Sequence, residues 1–250
     1  MRMGSYDALA GVYALFADDF DHPKWAEYYR ALLRRAGVEP ESVADVGCGT
    51  GLMTVELARA CARVVGVDAS EAMLREAERT LRREGVRATL VRQDMCHLAL
   101  PRPVDAVVCA CDGVNYLLSE RRVRAFFRAA RSALRPGGAL AFDISSRHKL
   151  EQVLGDGFFG EEREDAAYLW QNALDRERHV LRMDVTFFVR EADGRYRRFE
   201  ETHVQRAHSA QEICAWLGAE GFEGVEAFGD RTFAPPAPGE ARIHFLARRA

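Results

Sequence analysis

Asp45 stands two residues ahead of three glycines, Gly47, Gly49 and Gly51, and a second acid, Asp68, closes the next aliphatic run, R-V-V-G-V-D. Glycines at alternate positions let a chain turn sharply and let a ligand reach backbone amides with no β carbon in the way. Between a strand and a helix, such a turn is a cofactor cradle. An acid ending the second strand accepts hydrogen bonds from both hydroxyls of an adenosine ribose, which suits nicotinamide dinucleotides and other adenosyl cofactors alike. Two features separate them. The dinucleotide fingerprint is G-x-G-x-x-G, whereas here the third glycine comes one place early and Leu52-Met53 follow. Asp45 would also sit badly beside a pyrophosphate and suits a ligand carrying an ammonium group.

A second set of groups is suited to holding an acceptor or moving a proton. On the run Tyr196 to Gln205, Phe199, Glu201 and His203 share one face, while Arg198, Glu200 and Thr202 share the other. His203 is a candidate general base for an amine or hydroxyl, since an imidazole titrates near ~6.5. Glu201 is placed to orient it or to pair with a cationic substrate. A solvated strand with ion pairs to residues such as Arg182 accounts for the same residues. Ligands of open α/β sheets bind outside the carboxyl ends of the strands, so the loop Cys111-Asp-Gly-Val-Asn-Tyr116 is expected at the acceptor. Asp112, Asn115 and Tyr116 are its candidate contacts, although Asp and Asn are also ordinary turn residues. Tyr168 and Trp170 are candidate walls of that site or core residues, and Arg198 is a further candidate contact. The cysteines lack C-x-x-C spacing, and Cys109-Ala-Cys111 in a strand sends both thiols to one face without a nearby His pair. They read as reduced core cysteines, and no metal is expected.

These groups need a scaffold, and the chain alternates to supply one. Aliphatic runs S-V-A-D-V-G, R-V-V-G-V-D, A-T-L-V-R-Q-D, P-V-D-A-V-V-C-A and G-A-L-A-F-D-I are separated by helical patterns, the clearest from Ser119 to Leu134, with Val123, Phe126, Phe127 and Ala130 on one face. This predicts βαβ units around a parallel sheet covered on both sides. The fold class is α/β, a doubly wound, seven-stranded, mostly parallel Rossmann-like sheet in a single domain. Residues 5–36 read as two helices forming a lid, and 37–146 as the cofactor-binding core. Residues 147–206 read as an inserted antiparallel β cover, in which Leu181, Met183, Val185, Phe187 and Val189 alternate and Ala192-Asp-Gly194 turns the chain. Residues 207–250 supply a helix from Ser209 and a sheet-edge hairpin.

The motifs D-V-G-C-G-T-G (45–51), V-V-G-V-D (64–68), R-Q-D-M (92–95) and L-R-P-G-G (134–138) resemble, in order and spacing, those of the class I S-adenosylmethionine-dependent methyltransferases. The resemblance covers about residues 40–145. It implies that Asp45 and the 47–51 loop, Cys48 included, cradle the methionine end, that Asp68 binds the ribose, and that Asp94 and Met95 flank the adenine. Ala69, Met73 and Cys111 complete the expected cofactor set. Y-x-x-L-A-x-x-Y (6–13), K-W (24–25), R-R-F-E-E-T-H (197–203) and R-I-H-F-L-A (242–247) are similar to a bacterial small-molecule-type group with a β insertion after the fifth strand. In that group an N-terminal Tyr and Trp close over the cofactor, which nominates Tyr13 and Trp25.

The expected reaction is in-line transfer of the methyl group to a nitrogen or oxygen of a small molecule, leaving S-adenosylhomocysteine. The loop after the fourth strand has neither Asn/Asp-Pro-Pro-aromatic nor Pro-Cys, which disfavours base methylation. A net charge of −3 exerts no general pull on nucleic acid, leaving an RNA methyltransferase and a non-catalytic cofactor-binding module as the alternatives. No apolar stretch approaches the ~18 residues of a membrane span, and the first residues lack a signal-peptide core. A cytoplasmic monomer or homodimer is expected.

Overall fold

A computed structural model describes residues 21–250. The N-terminal helix α1 (His22–Arg35) is capped by Asp21, whose carboxylate accepts from the Lys24 amide at 3.2 Å, and Pro23 occupies its first turn. The alternation then runs β1 (Ser42–Val46), α2 (Leu52–Ala60), β2 (Arg63–Asp68), α3 (Glu71–Arg83), β3 (Thr89–Arg92), β4 (Val104–Cys109), α4 (Glu120–Ala133) and β5 (Leu134–Ser145). Helices start where the sequence offers oxygen caps: Ser70 accepts from the Met73 amide and Ser119 from that of Arg122. After the cover come α5 (Ala210–Ala219), opened by a Ser209–Glu212 capping box, then β10 (Phe222–Phe228) and β11 (Arg242–Arg249).

The main sheet has the order β10-β11-β5-β4-β1-β2-β3. Strands β1 to β5 pair in parallel, while β11 runs antiparallel between β5 and β10. The strand order reverses between β1 and β4, which opens a crevice at their carboxyl ends. Both faces are covered. Phe126, Phe127, Phe142 and Phe245 belong to one fully buried layer, and Trp25, Tyr29, Leu32, Leu33, Leu57 and Val108 to the other. Segment 21–36 is therefore a core helix rather than the second half of a lid, because its aromatic stripe is spent on the sheet. The first expected lid helix, Tyr13 included, lies outside the described residues.

The insertion opens with a helical turn, Lys149–Leu154, that the sequence pattern did not reveal. It continues as an antiparallel sheet, β6 (Phe158–Glu162), β7 (Ala166–Asp175), β8 (Val180–Arg190) and β9 (Tyr196–Arg206), paired in that order. In β8 the expected residues Leu181, Met183, Val185, Phe187 and Val189 are the buried ones. Register puts Met183 opposite His203 and Val185 opposite Glu201, so those two polar residues share the buried face. Among the described residues no helix is long and apolar enough to cross a membrane.

Gly51 explains the early third glycine. Its φ is +82°, and a β carbon there would stand 3.0 Å from the Ala77 β carbon and 3.1 Å from its α carbon. The residue lets α2 begin against α3. Gly51→Ala combines left-handed strain of about 1–2 kcal/mol with overpacking of similar size. The urea midpoint is expected to fall by an amount equivalent to about 2 kcal/mol or more with an unchanged slope, and an unchanged midpoint would contradict the close approach.

Candidate active site

A cavity of about 360 Å³ opens at the carboxyl ends of β1, β2 and β4, within the size range of small-ligand sites. Its floor is the turn after β1. The Gly47 and Cys48 amides both donate to the Val67 carbonyl, at 2.7 and 3.0 Å, which ties the turn to the end of β2. Asp68 shapes the turn from the other side: it accepts from the Gly49 amide at 2.9 Å on one oxygen and from the Ser70 amide at 2.8 Å on the other. Among the described residues, a β carbon at Gly49 would have no atom within 4 Å, and one at Gly47 would meet only the Met95 methyl at 3.9 Å.

Asp45, Gly47, Cys48, Gly49, Asp68, Ala69, Met73, Asp94, Met95 and Cys111 all line this cavity, whereas Gly51 does not. The Gly51 expectation is corrected: its role is helix packing. Asp45 is buried and takes the Thr54 hydroxyl at 2.5 Å. Burial pushes its carboxyl up to about 6; the Thr54 hydrogen bond opposes this and the Asp68 charge adds to it. An acid in that state gains most from an incoming cation. Asp94 caps the turn Met95–His97 through the Cys96 amide at 2.9 Å and pairs with Arg122 at 3.0 Å. Burial would raise its carboxyl, but those partners bring it below the usual value. Thr50, within the expected 47–51 loop, lines the cavity too, and Arg122, Gln93, Leu117 and His22 do so without having been anticipated. Gln93 sits inside the motif that carries Asp94 and was within reach of sequence reasoning. Arg122 meets Asp94 only through the tertiary fold.

The wall after β4 is built under strain. Cys111 and Asp112 are consecutive non-glycine residues in the left-handed region, with φ of 60° and 54°. Asp143, fully buried on β5, holds both: its oxygens accept from the Cys111 amide at 2.8 Å and the Asp112 amide at 3.0 Å. It also takes the Tyr29 hydroxyl at 2.6 Å and an Arg242 guanidinium nitrogen. Burial would raise the Asp143 carboxyl, yet the Arg242 charge leads a set of partners that carry it below the usual range. Since β4 ends at Cys109, the two thiols of Cys109-Ala-Cys111 do not share a face: Cys109 belongs to one core layer and Cys111 packs on the other.

The cover reaches this wall through β9. His203 and Glu201 are both 7% exposed, which overturns the solvated-strand expectation. The Tyr116 hydroxyl, on the cavity lining, lies 3.3 Å from His203 Nδ1, and His203 Nε2 lies 3.3 Å from a Glu201 oxygen. Other expected acceptor contacts are corrected. Arg198 is on the outer face, half-exposed, and paired with Glu200. Asn115 spends its amide on Ser145 O, Arg206 O and the Ser145 amide, at 3.0, 2.9 and 2.9 Å. Asp112 is committed to Gln205 at 2.7 Å and Arg242 at 3.0 Å. Tyr168 and Trp170, by contrast, share the face of Glu201 and pack with Phe187, Phe199 and Val185, off the lining of the cofactor cavity but on the side of the cover that faces inward with Glu201. Trp25 is core, 5.4 Å from the His244 ring and beneath Arg242 at 5.1 Å.

Room at Gly47 and Gly49 and three carboxylates on the lining, one of them the buried Asp45, fit a ligand with an adenosyl group and a cationic amino-acid end. A family described as a methyltransferase domain matches residues 43–138. A protein of Geobacillus sp. (strain WCH70) named "Putative methyltransferase" is 31% identical over 246 residues, 98% of this chain and 100% of its own. The crystal structure of an S-adenosylmethionine-dependent methyltransferase from Clostridium acetobutylicum is 29% identical and superposes with a TM-score of 0.89, covering 98% of this chain and 99% of that one. The sugar N-methyltransferase KedS8 from a Streptoalloteichus species is 27% identical, with a TM-score of 0.78 and coverage of 100% and 98%.

Asp45 carries a pH signature. Its folded carboxyl lies above the ordinary 3.8, so its contribution to stability is full below about pH 4 and is lost as pH rises through about 6. A bound cation favours the ionised form, so affinity for S-adenosylmethionine is expected to weaken as pH falls from 7.5 to 5. Asp45→Asn is expected to raise the ligand-free melting temperature at pH 7.5 by a few degrees, about 2–4 °C per kcal/mol in a chain of this size. It is also expected to weaken binding at least about tenfold, the effect of ~1.4 kcal/mol. Calorimetry showing pH-independent affinity would contradict the pairing.

Proposed function

The chain belongs to the class I S-adenosylmethionine-dependent methyltransferases, and from that premise we propose that it methylates an amine nitrogen of a small-molecule acceptor. The observation that carries this reading is the row formed by half-buried Tyr116 and buried His203 and Glu201 beside the cofactor cavity. S-adenosylmethionine supplies a methyl group on a positively charged sulfur, which leaves as a neutral thioether. The protein's task is to align an electron pair with that methyl, exclude water and manage one proton.

Asp68 takes the ribose hydroxyls and already fixes the turn under it. Asp45 takes the ammonium end, and Asp94 with Met95 takes the adenine. The acceptor docks between the mouth of this cavity and the inner face of the cover. An amine is mostly protonated at neutral pH and must lose a proton before its nitrogen has an electron pair to donate. With Nε2 protonated and donating to Glu201, His203 keeps Nδ1 as an acceptor toward the Tyr116 hydroxyl. Tyr116 then passes the amine's proton to Nδ1, and the Glu201 carboxylate stabilises the imidazolium that forms. The similar protein KedS8, named a sugar N-methyltransferase, supports nitrogen over oxygen and a small molecule over a polymer. The net charge of −3 agrees with the latter.

The test is S-adenosylhomocysteine release across pools of small amines, phenols, carboxylates and RNA. Release with the amine pool is expected, and release with RNA alone would overturn the acceptor class. With a good amine in hand, His203→Ala should lower kcat about 10²-fold or more while leaving S-adenosylhomocysteine affinity unchanged. Arg198→Ala should change neither. Wild-type turnover in His203→Ala would remove the base from the account.

A further inference from the structure

The polar side chains between the cover and the cofactor cavity form one connected path. Gln205, on the buried face of β9 and only 4% exposed, donates to one oxygen of Asp112 at 2.7 Å. The other oxygen of Asp112 takes Arg242 at 3.0 Å, and Arg242 also pairs with Asp143. Asp143 holds the Cys111 and Asp112 amides. Cys111 lines the cofactor cavity, whereas Gln205 does not. Asp112 has a φ of 54° directly after Cys111 at 60°, so this peptide is held by its partners against its own preference. A peptide held in that way stays put only while the groups around it do.

We propose that Asp112 is a positioning residue that couples the two halves of the site: by gripping Gln205 of the cover and Arg242 of the core, it makes cofactor binding and the docking of β9 linked equilibria. The proposal rests on the cofactor reading given above. Linkage of this kind is reciprocal. Cofactor that presses on Cys111 stabilises the grip on β9, and a β9 that lets go frees the Cys111–Asp112 peptide and weakens the cofactor site. The acceptor, which docks against β9, is then bound best by the cofactor-loaded protein, giving an ordered reaction with the donor first.

The test uses the full chain and S-adenosylhomocysteine as the probe, with calorimetry for affinity and amide hydrogen exchange for β9. In the wild type, the probe should slow exchange across residues 196–206. Gln205→Leu should raise the dissociation constant about five- to tenfold, the range of modest coupling, and remove that protection. Gln205→Glu, which sets a second carboxylate against Asp112, should weaken binding further. Arg198→Ala, on the outer face of the same strand, is the control and should match the wild type. A simple structural role for Gln205 would lower thermal stability without moving the dissociation constant, and that outcome overturns the coupling. Failure of the wild type itself to bind the probe would overturn the cofactor reading and the coupling with it.

Discussion

A single buried carboxylate, Asp143, holds together elements distant in sequence that the site requires in one place. It sits near the carboxyl end of β5, an interior strand, with no exposure to solvent, and its partners come from α1, the turn after β4 and β11. Burying a charge is costly unless it is paired and its oxygens are satisfied. Arg242 supplies the pairing, and Tyr29 with the two backbone amides supplies the hydrogen bonds. Burial disfavours the Arg242 charge, but Asp143 and Asp112 more than offset it. The consequence is geometric: Cys111 and Asp112 are kept in a backbone region that residues with side chains rarely occupy, and so the cavity wall keeps its shape.

The donor half of the site follows from the crevice where the strand order reverses. Both the glycine turn and Asp68 lie at strand ends that the sheet fixes, and the turn is locked by hydrogen bonds to β2 before any ligand enters. Asp45 and Asp68 are thus built into the scaffold at the cavity proposed to hold the cofactor. The acceptor half is less local. It needs the cover sheet to arrive with the Glu201 face inward, and the alternation of β8 decides this because a one-residue slip would turn that face outward. Phe187, Val185 and Val189 are buried only in the observed register, and they carry His203 and Glu201 with them.

Much of this was legible in the sequence because it is periodic or local. The strand and helix alternation from residue 43, the β8 alternation and the turn at Gly194 all rest on near neighbours in the chain. Asp45, Asp68 and Asp94 were readable from motifs in which spacing and chemistry agree. What was misread depends on where a face points. Trp25 forms the same aromatic stripe whether it covers a ligand or a sheet, and only the sheet's apolar face decides. Arg198 and His203 sit on one strand, five residues apart, and so on opposite faces, so they cannot both reach the acceptor. The Asp143–Arg242 pair joins residues 99 apart in sequence and carries no local signal, nor does the pairing of Arg122 with Asp94.

The central claim is that the crevice between β1 and β4 holds the methyl donor with its transferable end toward the Tyr116–His203 row. A crystal structure of the complex with S-adenosylhomocysteine tests it most directly. The account predicts the ribose against Asp68, the amino group toward Asp45 and the sulfur facing Tyr116. A nucleoside bound elsewhere, or bound in this crevice with its sulfur turned away from Tyr116, would contradict it.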